Sequence, residues 1–325
     1  MTTSILKSKL PTVLLLSAVA LCAALSIHAQ APVPDQGTTI QGPATTEVNL
    51  IFSVTDKHTG GFVKNLRQND FGLLDNKKPP ARVSGFTQET NLPLRVGLML
   101  DTSSSVRSRF KFEQESAVEF LREILHVKDR AFVEGFDVQT FLAQDFTGSP
   151  SELEVGVDKL RAGGGTFLFD ALYKTCRDQM LPLQSQEATR KAIILISDGE
   201  DGLSHTLEAE SIRMCQRAET IVYTISTDTS PSKSAGADVL KRIAAATGGQ
   251  AFFPIRIEDL AQGFINIEAE LRSQYSLVYR PADFRADGSF HTIYLHALNP
   301  RYVVRVREGY FAVPPPAIKT SVPKK

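Results

Sequence analysis

Tryptophan is missing from this chain of 325 residues, and that absence alone points to no function. The other shortages exclude more. Lysine plus arginine number 36 and aspartate plus glutamate number 36, so no bulk charge argues for nucleic acid or an anionic membrane surface. Of the six histidines, His28 falls in the N-terminal leader, and His58, His126, His205, His291 and His296 show no zinc spacing. His291 and His296 stand five apart on one strand-like stretch and so point to opposite faces. No phosphate loop ending in Gly-Lys-Ser/Thr occurs, because Gly163-Gly164-Gly165-Thr166 lacks the lysine. A Gly-x-Ser-x-Gly nucleophile elbow is absent too. The expectation is therefore a protein that is not an enzyme.

What is present begins with the N-terminus. Lys7 and Lys9 precede the apolar run Val13 to Leu25, and Ala29-Gln30-Ala31 follows. This is the basic, apolar and small-residue order of a secretory signal peptide over residues 1–31. The run is too short for an easy membrane span of about 20 residues, although an uncleaved anchor is the competing reading. Cys22 is not a lipid attachment site, since bulky Leu21 precedes it. The mature chain is expected to be exported, periplasmic or extracellular, with no membrane span. Of the three cysteines, Cys176 and Cys215 would remain, and an oxidising compartment lets them pair. A Rossmann-like order makes their two helices neighbours on one face; a disulfide and two buried thiols both fit.

Hydrophobic content of 42% and charged content of 22% are ordinary for a globular protein, and the length allows one large domain plus a small one. Residues 32–46 form a polar linker. Residues 47–92 show strand signals at 49–55, 71–77 and 82–86 with no helical period, an all-β unit too small to bury much surface alone. From 93 to 272 strands and helices alternate, which predicts a central, mostly parallel sheet flanked by helices: an α/β, Rossmann-like domain. Its strands are expected at 94–100, 130–136, 139–144, 191–197, 220–225 and 250–253, with helices at 112–125, 152–160, 169–180, 207–218, 238–247 and 257–271. Residues 273–312 return to strands and are expected to complete a discontinuous β-sandwich with the N-terminal unit. Residues 313–325, with three consecutive prolines, read as a disordered tail.

The chemistry concentrates at strand ends. Asp101-Thr102-Ser103-Ser104-Ser105 follows the apolar run Leu94 to Leu100. An acid followed by hydroxyls at every second position can aim three oxygens at one point, a donor set for a hard divalent cation such as Mg²⁺. Gly163-Gly164-Gly165 lets the backbone turn tightly and leaves Thr166 as the side-chain oxygen of its loop. Lys191 to Ser197 is a second buried strand ending in Asp198-Gly199. Carboxyl ends of parallel strands form the ligand crevice of such sheets, so Asp101, Ser103, Ser105, Thr166 and Asp198 are expected to meet there. Each alone also fits a helix cap or a turn. Glu200 and Asp201 read as solvated loop acids, Asp137 and Asp145 as remote turn acids, and His205 as a surface loop histidine.

Asp101-x-Ser103-x-Ser105, Thr166 and Asp198 together resemble the metal-ion-dependent adhesion site (MIDAS) of the von Willebrand factor type A domain, over roughly residues 92 to 272. Val54-Thr55-Asp56, Asn69-Asp70-Phe71 and Arg307-Glu308-Gly309-Tyr310-Phe311 extend the likeness to a related family of secreted bacterial proteins abundant in acidobacteria. The local departure is Ser104-Ser105-Val106, where the pattern often reads Gly-Ser-Met; no ligand position is lost. The resemblance implies an exported adhesion-type module. It would bind Mg²⁺, with Mn²⁺ or Ca²⁺ as substitutes, and take an Asp or Glu carboxylate of a protein partner into the open coordination position. A structural or assembly protein whose metal only braces the loops is the alternative, and a Mg²⁺-dependent hydrolase ranks below both.

Overall fold

The structure is a computed structural model that describes residues 47–88, 92–185, 189–228, 234–256 and 259–313. In chain order the elements are β1 (Val48–Asp56), β2 (Phe71–Asp75), β3 (Arg82–Gln88), β4 (Leu94–Asp101), α1 (Phe110–Ile124), β5 (Arg130–Phe136), β6 (Thr140–Thr147), α2 (Pro150–Lys159), α3 (Leu168–Thr175) and β7 (Arg190–Ser197). They continue with α4 (Glu208–Arg217), β8 (Ile221–Ser226), α5 (Ala235–Thr247), β9 (Ala251–Phe252), α6 (Asp259–Leu271), β10 (Tyr275–Arg280), β11 (Phe290–Ala297), β12 (Tyr302–Val306) and β13 (Gly309–Phe311). The leader and linker readings (1–31 and 32–46), and the tail beyond Val313, lie outside the described residues. Among the described residues no helix is long and apolar enough to cross a membrane. All described residues fall in one compact unit, Ile40–Lys325.

The central sheet has the order β6-β5-β4-β7-β8-β9. β4 runs parallel to β5 and β7, β8 continues the parallel set, and β6 returns antiparallel to β5. Every residue of β7 and all but Arg95 of β4 are buried, which is why both read as near-continuous apolar runs: a parallel sheet is covered on both faces. One face packs Leu98, Val133 and Ile194 under α1 and α6 residues such as Phe120 and Phe264. The other packs Phe132, Ile193 and Leu195 under Leu172, Cys215 and Leu240. Ser149 caps α2, with Pro150 in its first turn, and Ser234 caps α5. Gly248, at φ +88°, ends α5 in the left-handed conformation.

The flanking strands form two antiparallel sheets, β12-β1-β10-β3 and β13-β11-β2, each mixing strands from both ends of the chain. Their shared core holds Leu50, Phe52, Leu73, Tyr275, Tyr279, Leu295 and Tyr310. Neither end carries enough apolar surface by itself, so strands from both ends pair. Inside this core Asp75 accepts hydrogen bonds from the hydroxyls of Tyr279 (2.7 Å) and Tyr310 (2.8 Å) and lies 2.9 Å from His291 Nδ1. One contact between sandwich and α/β domain is made by Glu270 of α6, which accepts from Ser53 Oγ (2.6 Å) and pairs with Arg305 (2.6 Å).

Three boundaries differ from the sequence reading. The helix expected at 169–180 leaves α geometry at Cys176, where a wider π-type turn runs to Met180. Just before it, the Thr175 hydroxyl bonds back to Ala171 O at 2.9 Å, competing with the helix ladder. The last sheet strand is only two residues long. β13, not foreseen, pairs with β11 through Thr292↔Gly309. Cys176 and Cys215 are joined in a disulfide, with Cα atoms 5.0 Å apart.

Candidate metal centre

β4 and β7 are neighbours, and the chain reaches β5 on one side of β4 and β7 on the other. Their carboxyl ends therefore flank the switch point of the sheet, where an open crevice forms. Asp101 ends β4, fully buried; Ser197 ends β7, and Asp198 follows half-buried at the rim.

Asp101 is held from two sides. Its Oδ1 accepts the Ser103 backbone N–H at 2.8 Å, and its Oδ2 accepts the Ser197 hydroxyl at 2.7 Å. Ser103 Oγ lies 2.9 Å from Ser105 Oγ, and the Ser105 hydroxyl donates to Asp198 Oδ2 at 2.7 Å. Asp198 Oδ1 in turn accepts the Glu200 N–H at 3.0 Å. Four of the five expected residues thus form one connected set of oxygens. Ser103 makes no side-chain cap to the short turn it precedes, so a capping role does not account for its hydroxyl.

Thr166 comes from the neighbouring glycine loop, and its hydroxyl makes no hydrogen bond among the described residues. The loop itself is tied in: Gly163 N donates to Thr102 O (2.6 Å), Ser104 donates through N and Oγ to Gly164 O (3.1 and 2.7 Å), and Gly202 N donates to Thr166 O (2.9 Å). Gly164 sits at φ +100°, and a Cβ there would stand 2.8 Å from Asp137 Oδ2. Asp137, expected to be remote, therefore packs against the site loop, because the β5–β6 turn folds over it. Its carbonyl also accepts the Phe167 N–H at 2.9 Å.

Asp201 is likewise not a merely solvated acid. Its carboxylate accepts the Ser204 hydroxyl at 2.5 Å and the Phe169 N–H at 3.3 Å, at the start of α3. Asp170 of α3 reciprocates, accepting the N–H groups of Thr206 (2.7 Å) and His205 (3.1 Å). Partial burial works against it, but bonds to Thr206 and His205 outweigh that and hold its carboxyl well below the usual range. The loop after Asp198 is thereby laced to the helix after Thr166. His205 is an exposed loop residue, 3.1 Å from Asp170.

Charge at the centre is unbalanced. Burial pushes the Asp101 carboxyl up to about 6, its hydrogen bonds opposing and the Asp198 carboxylate adding to the rise. Glu113, on α1, is buried with neither carboxylate oxygen hydrogen-bonded. Burial raises it to about 8, Arg109 opposes, and Asp101 and Asp198 push further upward. Buried Asp101 and half-buried Asp198, beside the hydroxyls of Ser103 and Ser105, fit a hard divalent cation by donor chemistry and by charge. Among the described residues there is no group of three or more His, Cys, Asp or Glu arranged to hold a metal, and the donors here are two carboxylates completed by hydroxyls.

Sequence reasoning missed Ser197 and Glu113. Ser197 stands directly before Asp198 and closes the apolar run Ala192 to Ile196 with a hydroxyl, a signal that was readable. Glu113 carried no such signal, since an acid in the first turn of a helix is ordinary.

No family model and no curated protein matches the chain. Among solved structures it is similar to the conserved hypothetical protein BatB from Bacteroides thetaiotaomicron, at 15% identity over 54% of this chain and 98% of that one, with a TM-score of 0.44. It is also similar to proximal thread matrix protein 1 of the mussel byssus with a zinc-occupied MIDAS motif, at 14% identity over 60% and 49%, TM-score 0.48. The third is the von Willebrand factor domain of the type V pilus tip protein from Porphyromonas gingivalis, at 14% identity over 55% and 94%, TM-score 0.44.

Proposed function

We propose that this chain is an exported, non-enzymatic adhesion-type module whose Asp101, Ser103, Ser105, Thr166 and Asp198 would hold a divalent cation, Mg²⁺ by preference. The observation that carries the reading is the unbroken run of oxygens from Ser103 through Ser105 to Asp198 above buried Asp101, at the switch point of the sheet. Two carboxylates neutralise the ion's formal charge without enclosing it, and the exposed Ser105 marks the side open to solvent. A bound Mg²⁺ would supply an electrophilic position for a carboxylate oxygen from a partner's Asp or Glu.

The chain's own residues do the positioning. Ser197 and the Ser103 amide fix the Asp101 carboxylate, while Glu200 N–H fixes Asp198. The glycine loop, pinned by Ser104, sets where Thr166 stands. Calorimetric titration of Mg²⁺ into wild type and Asp101→Ala tests the site: saturable uptake at millimolar levels or below is expected only in wild type. A pull-down from envelope extract, with Mg²⁺ and with chelator, tests the partner. Equal capture under both conditions, or equal capture by Asp101→Ala, would overturn the adhesive reading.

A further inference from the structure

At the opposite end of the sheet from Asp101, a cavity of about 240 Å³ lies where α4, α5 and β7 meet the sandwich strands. Lys191, the second residue of β7, lines it. Lys191 is only 7% exposed, yet its amine makes no hydrogen bond or ion pair among the described residues. Burying an ammonium without a partner is costly, so such a group marks a place where an anion is wanted. Burial pushes Lys191 down to about 8; Glu219 opposes this and Arg307 adds to it.

The neighbouring charges do not satisfy it. Arg307, 8% exposed, also lines the cavity and has a buried Nε with no acceptor. Its terminal nitrogens reach Asn49 O at 2.9 Å and Glu219 Oε1 only at 3.3 and 3.4 Å. Arg190 adds a third cation, engaged by the carbonyls of Leu92 and Leu271. Among the described residues lining the cavity the acid is Glu219, whose side chain is 52% exposed. The rest of the wall includes the apolar Ile51 and Ile221 and the amide of Gln216.

We propose that this cavity is a binding site for a small organic acid, its carboxylate held by Lys191 and Arg307 and its short apolar body lying against Ile51 and Ile221. The volume is below the roughly 300 Å³ at which drug-sized ligands begin, which limits the ligand to a few carbons. The site uses none of the residues at the metal centre and stands or falls independently of it.

Calorimetry and thermal melting of the purified mature chain with sodium butyrate, sodium acetate, sodium phosphate and a sodium chloride control at matched ionic strength test the assignment. Saturable binding of butyrate at millimolar levels is expected, tighter than acetate. It should be about ten- to a hundredfold weaker in Lys191→Met, the loss of one charge-assisted hydrogen bond, and unchanged in Asp101→Ala. A second measurement needs no variant: butyrate should slow reductive methylation of Lys191, read by peptide mass. No response beyond chloride, equal binding by Lys191→Met, a response to phosphate but not butyrate, or methylation at the same rate with butyrate would each overturn the assignment.

Discussion

Glu113→Gln isolates the charge imbalance at the candidate metal centre. In wild type the Glu113 carboxyl lies at about 8 in the folded chain against an ordinary value of 4.5. A carboxyl raised by folding contributes stability that is full below its unfolded value and is lost as pH rises through the folded one. Between about pH 5 and about pH 7.5 the unfolded chain has released this proton and the folded chain mostly retains it. Linkage over that window takes away about 3 kcal/mol at 1.36 kcal/mol per pH unit. Glutamine does not titrate, and its buried amide stands equally unpartnered at both pH values. The stability gap, Glu113→Gln minus wild type, should therefore widen by about 3 kcal/mol from the lower pH to the higher. Urea unfolding in chelator at the two pH values measures it. A cation between Asp101 and Asp198 would neutralise the two carboxylates that push Glu113 upward, so added Mg²⁺ should narrow the gap. A gap that stays constant with pH would mean that Glu113 ionises normally, and the account of an unsatisfied negative centre would be refuted.

Other perturbations test separate joints of the structure. Gly199→Ala places a Cβ 2.3 Å from Gly236 O at a residue with φ +80°; it should destabilise by more than about 2 kcal/mol and abolish Mg²⁺ uptake by shifting Asp198, read by melting and calorimetry. Cys176 and Cys215 close a separation of 39 residues, so the double serine variant should lose about 4 kcal/mol in chemical denaturation on the loop-entropy relation. Glu270→Ala strands the partly buried Arg305 and removes the acceptor of Ser53; a loss of about 3–5 kcal/mol is expected, with hydrogen exchange rising in α6 and β12 before the central strands.

The strand and helix alternation from Leu94 onward was legible because a parallel sheet buried on both faces forces whole apolar runs such as Ala192 to Ile196, separated by helices of amphipathic period. The oxygens of Asp101, Ser103, Ser105 and Asp198 were legible for a related reason: in such sheets strand ends converge by topology, so local motifs report a distant meeting point. Pairing of both chain ends into a sandwich followed from apolar faces that neither end could cover alone. What the sequence did not carry was anything set by one side chain meeting a particular neighbour across the fold. Asp137 reads as a turn acid, and only the fold of the β5–β6 turn onto Gly164 brings it to the site. Asp201 reads as solvated until the start of α3 is placed beside it. Glu113 and Lys191 look like ordinary surface charges in their segments, and their burial without partners was decided by tertiary packing alone. Desolvation depends on which atoms surround a group in space, and periodicity records only which face of its own element it occupies.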